Sequence, residues 1–185
     1  LCAPADGITL DDKQALSAAM LASGMPIGDI NGIRKEVSAV KGGRLAAAIY
    51  PAKLHALLIS DVPGDDPSDI ASGPTVGYAG DAARAVATLA RWGVTLPDAI
   101  AAFLAAGGTP MVAGDPRLVG VKNVIIAAPS QSLAAAADIA TAAGVEVRLL
   151  GDAIEGEARE VAEAQAALAL EIAAQRLDHP VLLLS

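Results

Sequence analysis

The chain has 185 residues, of which 54% are hydrophobic, 2% are aromatic and 18% are charged, and its mean hydropathy is +0.48. This length supports one sizeable core. The apolar content excludes intrinsic disorder, which needs low hydrophobicity and high charge. No run of about 18 residues lacks a charge, a glycine or a proline, which argues against a membrane span.

The charge balance narrows the choice of ligands. The formal net charge is −8, and the thirteen lysines and arginines are not gathered into one basic surface, which disfavours nucleic-acid binding. An acidic protein can still bind a phosphate ligand through a local group of cations, backbone N–H groups or a metal. The single Cys2 excludes an intramolecular disulfide and a cysteine-based zinc site, and it fits a reducing cytoplasm.

Apolar spacing, glycines and prolines predict the elements in chain order. Thr9 followed by Asp12 is typical of a helix N-terminus, and Gly24 ends that helix. Apolar residues from Ile27 to Val40 recur at steps of three and four, which predicts a second helix. The remaining predictions are a short helix ending at Ile49, buried strands over 54–60, 121–127, 145–150 and 181–184, helices over 81–92, 97–106, 130–143 and 157–176, and loops over 61–80 and 107–120.

The second half of the chain alternates strands with helices. Crossovers of that length predict parallel pairing in an α/β fold, a three-layer Rossmann-like domain whose mainly parallel sheet is flanked by helices. Ligands of such sheets bind beyond the carboxyl ends of the strands. We therefore expect the chemistry in the loops that begin at Asp61 and Gly151. The last strand and the opening residues 1–4 suggest a piece of a longer protein.

The loop after the first predicted strand carries clustered carboxylates and hydroxyls. It contains Asp61, Asp65, Asp66, Asp69, Ser72 and Thr75. Clustered carboxylates repel each other unless a cation or donors lie among them, and oxygen ligands favour Mg²⁺, which usually binds one or two carboxylates together with substrate phosphates. Ser72 and Gly73 could offer backbone N–H groups to an anion. The alternative is a solvated loop with Asx and proline turns.

A second segment concentrates positive charge. Arg34, Lys35, Lys41 and Arg44 fall within eleven residues, and Lys41 is followed by Gly42-Gly43. A cation beside flexible backbone is typical of phosphate-contacting loops, although the spacing is not that of a Walker A motif. The alternative is a solvated basic helix face.

A third segment follows the third predicted strand. Gly151-Asp152 and Glu155 precede a helix with an acidic start. These residues suit a ligand-binding rim, and they suit helix capping equally well.

Together the three segments resemble the type II glycerate kinases, whose C-terminal part is the MOFRL domain. The matching motifs are Arg34-Lys35, Ser38 and Lys41 to Ala46, then Ser60 to Pro67 and Ile70 to Thr75, then Gly151-Asp152 and Glu155 to Ala158. They run in family order over nearly all of the chain. One departure is Glu36-Val37, where many relatives have His-Leu.

The resemblance implies a kinase that uses ATP and Mg²⁺ to phosphorylate D-glycerate, with 2-phosphoglycerate as the favoured product. Residues 1–185 would then be part of the N-terminal domain, with a glycine-rich segment before it and the MOFRL domain after it, and the isolated chain should be inactive. Expected ligands are glycerate and nucleotide in the cytoplasm, with no nucleic acid and no membrane. The oligomeric state, a homodimer included, stays open.

The resemblance also implies roles for individual residues. Arg34, Lys35 and Lys41 would contact phosphate or the glycerate carboxylate. Asp61, with Asp65 or Asp66, would hold Mg²⁺ or orient the glycerate hydroxyl. Residues that would contact substrate or phosphate are Gly42, Gly43, Ser72, Gly73, Thr75, Asp152 and Glu155.

Two other functions remain open at this stage. Some relatives carry the name hydroxypyruvate reductase, but an oxidoreductase would need a dinucleotide site, and the chain has no Gly-x-Gly-x-x-Gly fingerprint. The other alternative is a noncatalytic ligand-binding α/β domain.

Overall fold

A computed structural model describes residues 2–108 and 111–185 as a mixed α/β protein. Its helices are α1 (Leu10–Ala22), α2 (Ile27–Glu36), α3 (Arg44–Ile49), α4 (Ala82–Arg91), α5 (Asp98–Ala105), α6 (Pro129–Ala142) and α7 (Ala158–Ala174). Its strands are β1 (Leu54–Ile59), β2 (Val121–Ala127), β3 (Glu146–Leu149) and β4 (Val181–Leu184). Short 3₁₀ turns cover Pro63–Asp65, Ile70–Ser72 and Pro116–Leu118.

The chain divides into two compact units. The first comprises Leu1–Leu58 and Asp66–Ile125, and the second comprises Ile59–Asp65 and Ile126–Ser185. The assignment of residues 1–185 to one domain stays a prediction.

The predicted strands form, and they pair in parallel. In β3 and β4, Glu146 lies opposite Val181 and Leu149 lies opposite Leu184. β1 pairs with β2, and the Leu54 N–H donates to the Gly120 carbonyl at 3.2 Å at the start of that pair. Within the described residues the strands make two two-stranded sheets, so the predicted α/β class with parallel strands is confirmed, whereas the single three-layer sheet stays a prediction.

Strand burial differs from the prediction. β1 alternates between half-buried and exposed residues, and its Leu57 and Ile59 side chains are 67% and 69% exposed. A continuous apolar run predicted burial on both faces. In the described residues one face of β1 is uncovered.

The first unit has a helical core. It is built from α1, α2, α4 and α5 through buried apolar side chains that recur at helical spacing, among them Leu16, Met20, Ile30, Ile33, Leu89, Ile100 and Leu104. Spacings of three and four put these residues on one face of each helix, and burial of that face supplies the main packing energy.

The second helix is shorter than its apolar pattern predicts. α2 ends at Glu36, and Val37 is its C-cap. The buried Ser38 hydroxyl accepts the N–H groups of Val40 and Lys41 at 3.3 Å each. These bonds give the backbone an alternative to the helical ladder. The predicted extension to Val40 is therefore wrong, and a tight turn stands in its place.

The N-terminus of α1 confirms the prediction made from Thr9. The Thr9 hydroxyl accepts the Asp12 N–H at 3.1 Å, and the Asp12 carboxylate accepts the Thr9 N–H at 3.0 Å. This capping box satisfies two donors that the helix cannot pair internally.

The capping box gives a stability test. Thr9→Val keeps the shape of the side chain but removes the acceptor, so we expect a loss of about 1 kcal/mol in the free energy of unfolding, measured by urea denaturation. Thr9→Ser keeps the cap and should lie within a few tenths of a kcal/mol of wild type. Equal losses in both variants would contradict this role for the hydroxyl.

Candidate active site

Two predicted site segments pack directly against each other in the first unit. The Gly42 N–H donates to the Ser72 carbonyl at 3.1 Å, and the Gly43 N–H donates to the Gly73 carbonyl at 2.7 Å. Residues 38–43, here called the glycine turn, therefore lie alongside residues 72–74 of the predicted loop over 61–80, here called the aspartate loop. The structure brings together motifs that are about thirty residues apart in the sequence.

Glycine is required where these segments meet. Gly43 and Gly73 have φ angles of +83° and +61°, a region that side chains disfavour. A Cβ atom on Gly73 would lie 2.7 Å from the Ser68 carbonyl oxygen, and one on Gly43 would lie 3.1 Å from the Val76 carbonyl oxygen. The glycines allow close backbone approach.

The backbone N–H groups of these segments already have protein acceptors. Besides the two glycine-turn bonds, the Ser72 N–H donates to the Asp69 backbone carbonyl at 2.8 Å. The Gly73 N–H donates to the Ile70 backbone carbonyl at 2.9 Å. The sequence suggested that such N–H groups contact an anion. The Gly42 and Gly43 bonds join the two segments, whereas the Ser72 and Gly73 N–H groups close turns within the loop itself. A role of these groups in anion binding stays a prediction.

The predicted hydroxyl donors also have partners. The buried Ser72 hydroxyl lies 3.2 Å from Asn31 Oδ1, and the Thr75 hydroxyl lies 2.5 Å from Asn123 Oδ1. Asn31, which sequence reasoning missed, also accepts from Arg34 Nη1 at 3.4 Å. It therefore links the basic segment to the aspartate loop.

Lys35 is buried and paired. Its Nζ lies 3.3 Å from Asp69 Oδ1 and 5.0 Å from the centre of the Tyr78 ring. The ion pair and the cation–π contact both stabilise this side chain in its buried position. Its charge is thus balanced within the protein by Asp69.

Arg34 and Lys41 come together with a third cation that the sequence analysis did not select. They line a cleft of roughly 350 Å³ with Lys13, Cys2, Gln14 and Ser17, and this group is here called the cation cleft. Lys13 lies on α1, three residues before Leu16 and seven before Met20, both buried. A lysine at the spacing of an apolar stripe was the signal that could have identified it.

The positive charges in the cation cleft repel one another. Burial lowers the pKa of Lys13, and the positive charge of Arg34 lowers it further. Burial also lowers the pKa of Lys41, with the charges of Lys13 and Arg34 acting in the same direction. Across residues 2–108 and 111–185, none of these three cations forms a salt bridge with a carboxylate. The cleft therefore has an unbalanced positive charge.

Two further charged side chains, Arg44 and Glu36, are buried in the first unit. Arg44 donates through Nη1 to the Lys35 carbonyl and, at 3.0 Å, to the Lys41 carbonyl, so its guanidinium joins the end of α2 to the glycine turn. Glu36 is fully buried, and both of its carboxylate oxygens lack a hydrogen-bond partner in the described part of the chain. The Tyr78 hydroxyl donates to the Gly32 carbonyl at 3.3 Å.

The environment of Glu36 favours its neutral form. Burial raises the pKa of Glu36, and the negative charge of Asp81 adds to the rise, while the nearby Arg44 opposes it. Because the net shift is upward, desolvation outweighs the attraction to the guanidinium.

Two of the three predicted metal ligands belong to the second unit. Asp61 is exposed. Asp65 has a φ angle of +54°, its Oδ2 lies 3.5 Å from the Ser130 hydroxyl, and its Oδ1 is buried without a partner in the described residues. An unpartnered buried carboxylate oxygen is a site that a cation or donor could satisfy.

Asp66, in the first unit, has a local structural role. Its Oδ1 accepts the Ser68 N–H at 2.7 Å, which is an Asx turn. No group of three or more His, Cys, Asp or Glu side chains that could hold a metal is present among the residues described. The assignment of Mg²⁺ to Asp61, Asp65 and Asp66 stays a prediction.

Asp152 and Glu155 lie in the segment between β3 and α7, where Asp152 is half-buried and Glu155 is exposed. Glu157, the N-cap of α7, makes no side-chain capping bond. The roles of Asp152 and Glu155 at the rim of a ligand site stay predictions.

No helix in the described residues is long and apolar enough to cross a membrane.

The sequence is similar to those of known proteins. Residues 1–105 match the family described as "Domain of unknown function (DUF4147)". An Agrobacterium vitis protein provisionally named hydroxypyruvate reductase is 49% identical over 170 residues, which cover 92% of this chain and 38% of that protein. Glycerate kinase of Bos taurus is 39% identical over 167 residues, covering 88% of this chain and 31% of that enzyme.

The fold is also similar to a solved structure. The crystal structure of glycerate kinase from Thermotoga maritima aligns with a TM-score of 0.77 at 27% identity, over 98% of this chain and 44% of that chain. The chain thus spans less than half the length of these three relatives.

Glu36 gives a pH test of the buried charges. An acid with a raised pKa binds a proton in the folded state that the unfolded chain releases above its ordinary pKa of 4.5. Stability should therefore fall as the pH rises from there through the raised pKa. Gln cannot ionise, so Glu36→Gln should remove this fall and should need more urea to unfold than wild type at pH 8.

Urea denaturation at pH 5 and pH 8 measures the effect, and Glu171→Gln on the exposed face of α7 is the control. A Glu36→Gln profile that parallels those of wild type and the control would show that Glu36 is charged and well solvated in the folded protein.

Proposed function

The chain belongs to the DUF4147 family and is homologous to glycerate kinases, and we propose that it is part of an enzyme that transfers the γ-phosphoryl group of ATP to D-glycerate. The observation that carries this proposal is the cation cleft, where Arg34 and Lys41 lie together without a carboxylate partner in the described residues. Both substrates of this reaction are anions.

The chemistry of phosphoryl transfer explains why such a cleft is useful. The protein has little covalent work to do, and it accelerates transfer by positioning the reactants and stabilising negative charge. A chain with a net charge of −8 repels anions on average. Local, partly desolvated cations overcome that repulsion, because their attraction for a bound anion is screened less than at an open surface.

The rigidity of the site supports the same function. Lys41 Nζ donates to the Ala71 carbonyl at 2.7 Å, and the glycine turn that carries Lys41 is bonded to the aspartate loop through Gly42 and Gly43. We propose that this frame fixes Lys41 against the bound substrate. Preorganised charge costs no reorganisation during the reaction.

The second unit supplies oxygen ligands that fit Mg²⁺. The fit rests on Asp65, whose buried Oδ1 lacks a partner in the described residues, and on the exposed Asp61. One or two carboxylates are the usual protein share of a magnesium–phosphate site. When bound, Mg²⁺ would neutralise phosphate oxygens. Asp61 would hold it or orient the glycerate hydroxyl.

The proposal also covers the hydroxyl that is phosphorylated, the cellular location and the architecture of the sheet. We propose transfer to the 2-hydroxyl, a cytoplasmic location and a three-layer sheet completed in the whole protein. The alternating order of strands and helices supports the sheet, and the single cysteine supports the compartment.

A reductase is the second candidate, because one relative carries the provisional name hydroxypyruvate reductase. Two assays on the full-length protein separate the candidates. A kinase releases ADP from ATP only when glycerate is present, and ³¹P NMR of the product distinguishes 2- from 3-phosphoglycerate. A reductase instead consumes NADH with hydroxypyruvate. NADH consumption without glycerate-dependent ADP release would overturn the proposal, and the absence of both activities would favour a noncatalytic ligand-binding domain.

Asp61 gives the mutational prediction. Asp61→Asn keeps the shape and removes one charge, so the glycerate kinase rate should fall by about a hundredfold or more, because a charge at the reacting phosphate is lost. The Mg²⁺ concentration needed for half-maximal rate should rise. The melting temperature should change little, because Asp61 is exposed.

Asp138→Asn, an exposed carboxylate on α6 of the same unit, is the matched control and should keep wild-type kinetics. A less stable Asp61→Asn protein with a normal rate would show that Asp61 only stabilises its turn.

A further inference from the structure

We propose that Lys13 anchors an oxyanion subsite in the cation cleft, where it binds a small carboxylate or phosphate group together with Arg34 and Lys41. This inference rests on the proposed function only for the identity of the substrate. The existence of the subsite follows from the contacts of Lys13, and it can be tested without turnover.

The burial of Lys13 requires an explanation. Its side chain is only 6% exposed, and it lies on the same face of α1 as Leu16 and Met20. An ammonium group loses strong hydration when it is buried, and proteins normally compensate with a carboxylate or several hydrogen bonds. In the described residues its Nζ donates to the Ala3 carbonyl at 3.3 Å.

The hydrogen bond to the Ala3 carbonyl does not explain why a lysine is buried at this position. The Ala3 carbonyl already accepts the Ala39 N–H at 3.0 Å and the Ser38 hydroxyl at 3.2 Å. A carbonyl oxygen has two lone pairs, so these two donors satisfy it. Lys13 is thus a third donor to an oxygen that does not need one, and its charge is left without a counterion.

The two other cations increase the imbalance. Arg34 and Lys41 line the same cleft as Lys13. The positive charge of Arg34 contributes to the lowered pKa values of both lysines, and the charge of Lys13 contributes to that of Lys41. Their own hydrogen bonds go to the Asn31 side chain and to the Ala71 carbonyl, both neutral. An anion between the three cations would convert mutual repulsion into attraction.

The dimensions and the neutral lining indicate the class of ligand. A cleft of roughly 350 Å³ accommodates a small anion, and Gln14 and Ser17 add an amide and a hydroxyl that can donate to oxygen. The shared chemistry is that of an oxyanion, which can be the carboxylate of glycerate or a phosphate of the nucleotide.

Cys2 offers a direct probe, because its exposed thiol lines the same cleft. In the full-length protein, the alkylation rates of Cys2 with iodoacetate, an anion, and with iodoacetamide, which is neutral, can be compared by peptide mass mapping. The subsite should concentrate iodoacetate, so the ratio of the two rates should exceed that of the urea-unfolded protein by about tenfold. Inorganic phosphate or D-glycerate at saturation should return the ratio to the unfolded value.

Lys13→Met keeps the apolar stem and removes the charge, and it should abolish the preference for iodoacetate. Lys53→Met, at an exposed lysine outside the cleft, should retain it. If Lys13→Met does not fold, Lys13→Gln removes the charge but keeps a polar side chain. A folded Lys13 variant that keeps the preference for iodoacetate would overturn the role of Lys13. A wild-type ratio equal to that of the unfolded protein, or one that neither anion changes, would overturn the subsite.

Steady-state kinetics then identify the occupant. If the subsite holds the glycerate carboxylate, Lys13→Met should raise the KM for glycerate at least tenfold and leave the KM for ATP unchanged. If the subsite holds a nucleotide phosphate, Lys13→Met should raise the KM for ATP at least tenfold and leave the KM for glycerate unchanged. Unchanged KM values for both would overturn a role in substrate binding. A protein that lacks kinase activity but still shows anion-sensitive Cys2 labelling would overturn the proposed function and leave the subsite supported.

Discussion

The candidate site in the first unit depends on two backbone hydrogen bonds, from the Gly42 N–H to Ser72 and from the Gly43 N–H to Gly73. They require glycines, because Gly43 and Gly73 adopt positive φ angles and a Cβ on Gly73 would collide with the Ser68 carbonyl. With the turn fixed, Lys41 reaches the Ala71 carbonyl. The glycines therefore act through the geometry they allow, and the lysine beside them carries the charge.

The buried charges of the first unit fall into two groups. Lys35 and Arg44 have protein partners, namely Asp69 for the lysine and two backbone carbonyls for the arginine, and they hold the basic segment in place. In the described residues, Lys13 has a carbonyl but no carboxylate as its partner, and neither carboxylate oxygen of Glu36 has a hydrogen-bond partner. Burial of a charge without such a partner opposes folding. A bound anion could compensate the charge of Lys13, and a bound proton could neutralise Glu36.

The local rules were read correctly from the sequence. The helix N-terminus at Thr9, the four strands and the parallel α/β class were predicted from the order and spacing of residues, because helix caps and apolar periodicity act within a few residues. The extension of α2 to Val40 was wrong for a physical reason. The Ser38 side chain captures two N–H groups there, and a count of apolar spacings does not register that competition.

What the sequence by itself determined is the set of chemistries available: a basic segment, an aspartate loop and glycines able to bring them close, in the order of the glycerate kinases. Only the tertiary structure decided which side chains share a site. It paired Lys35 with Asp69 and placed Lys13 of α1 beside Arg34 and Lys41. The reason is physical, since ion pairing, burial and repulsion depend on distances between segments far apart along the chain, and those distances exist only after the helices have packed.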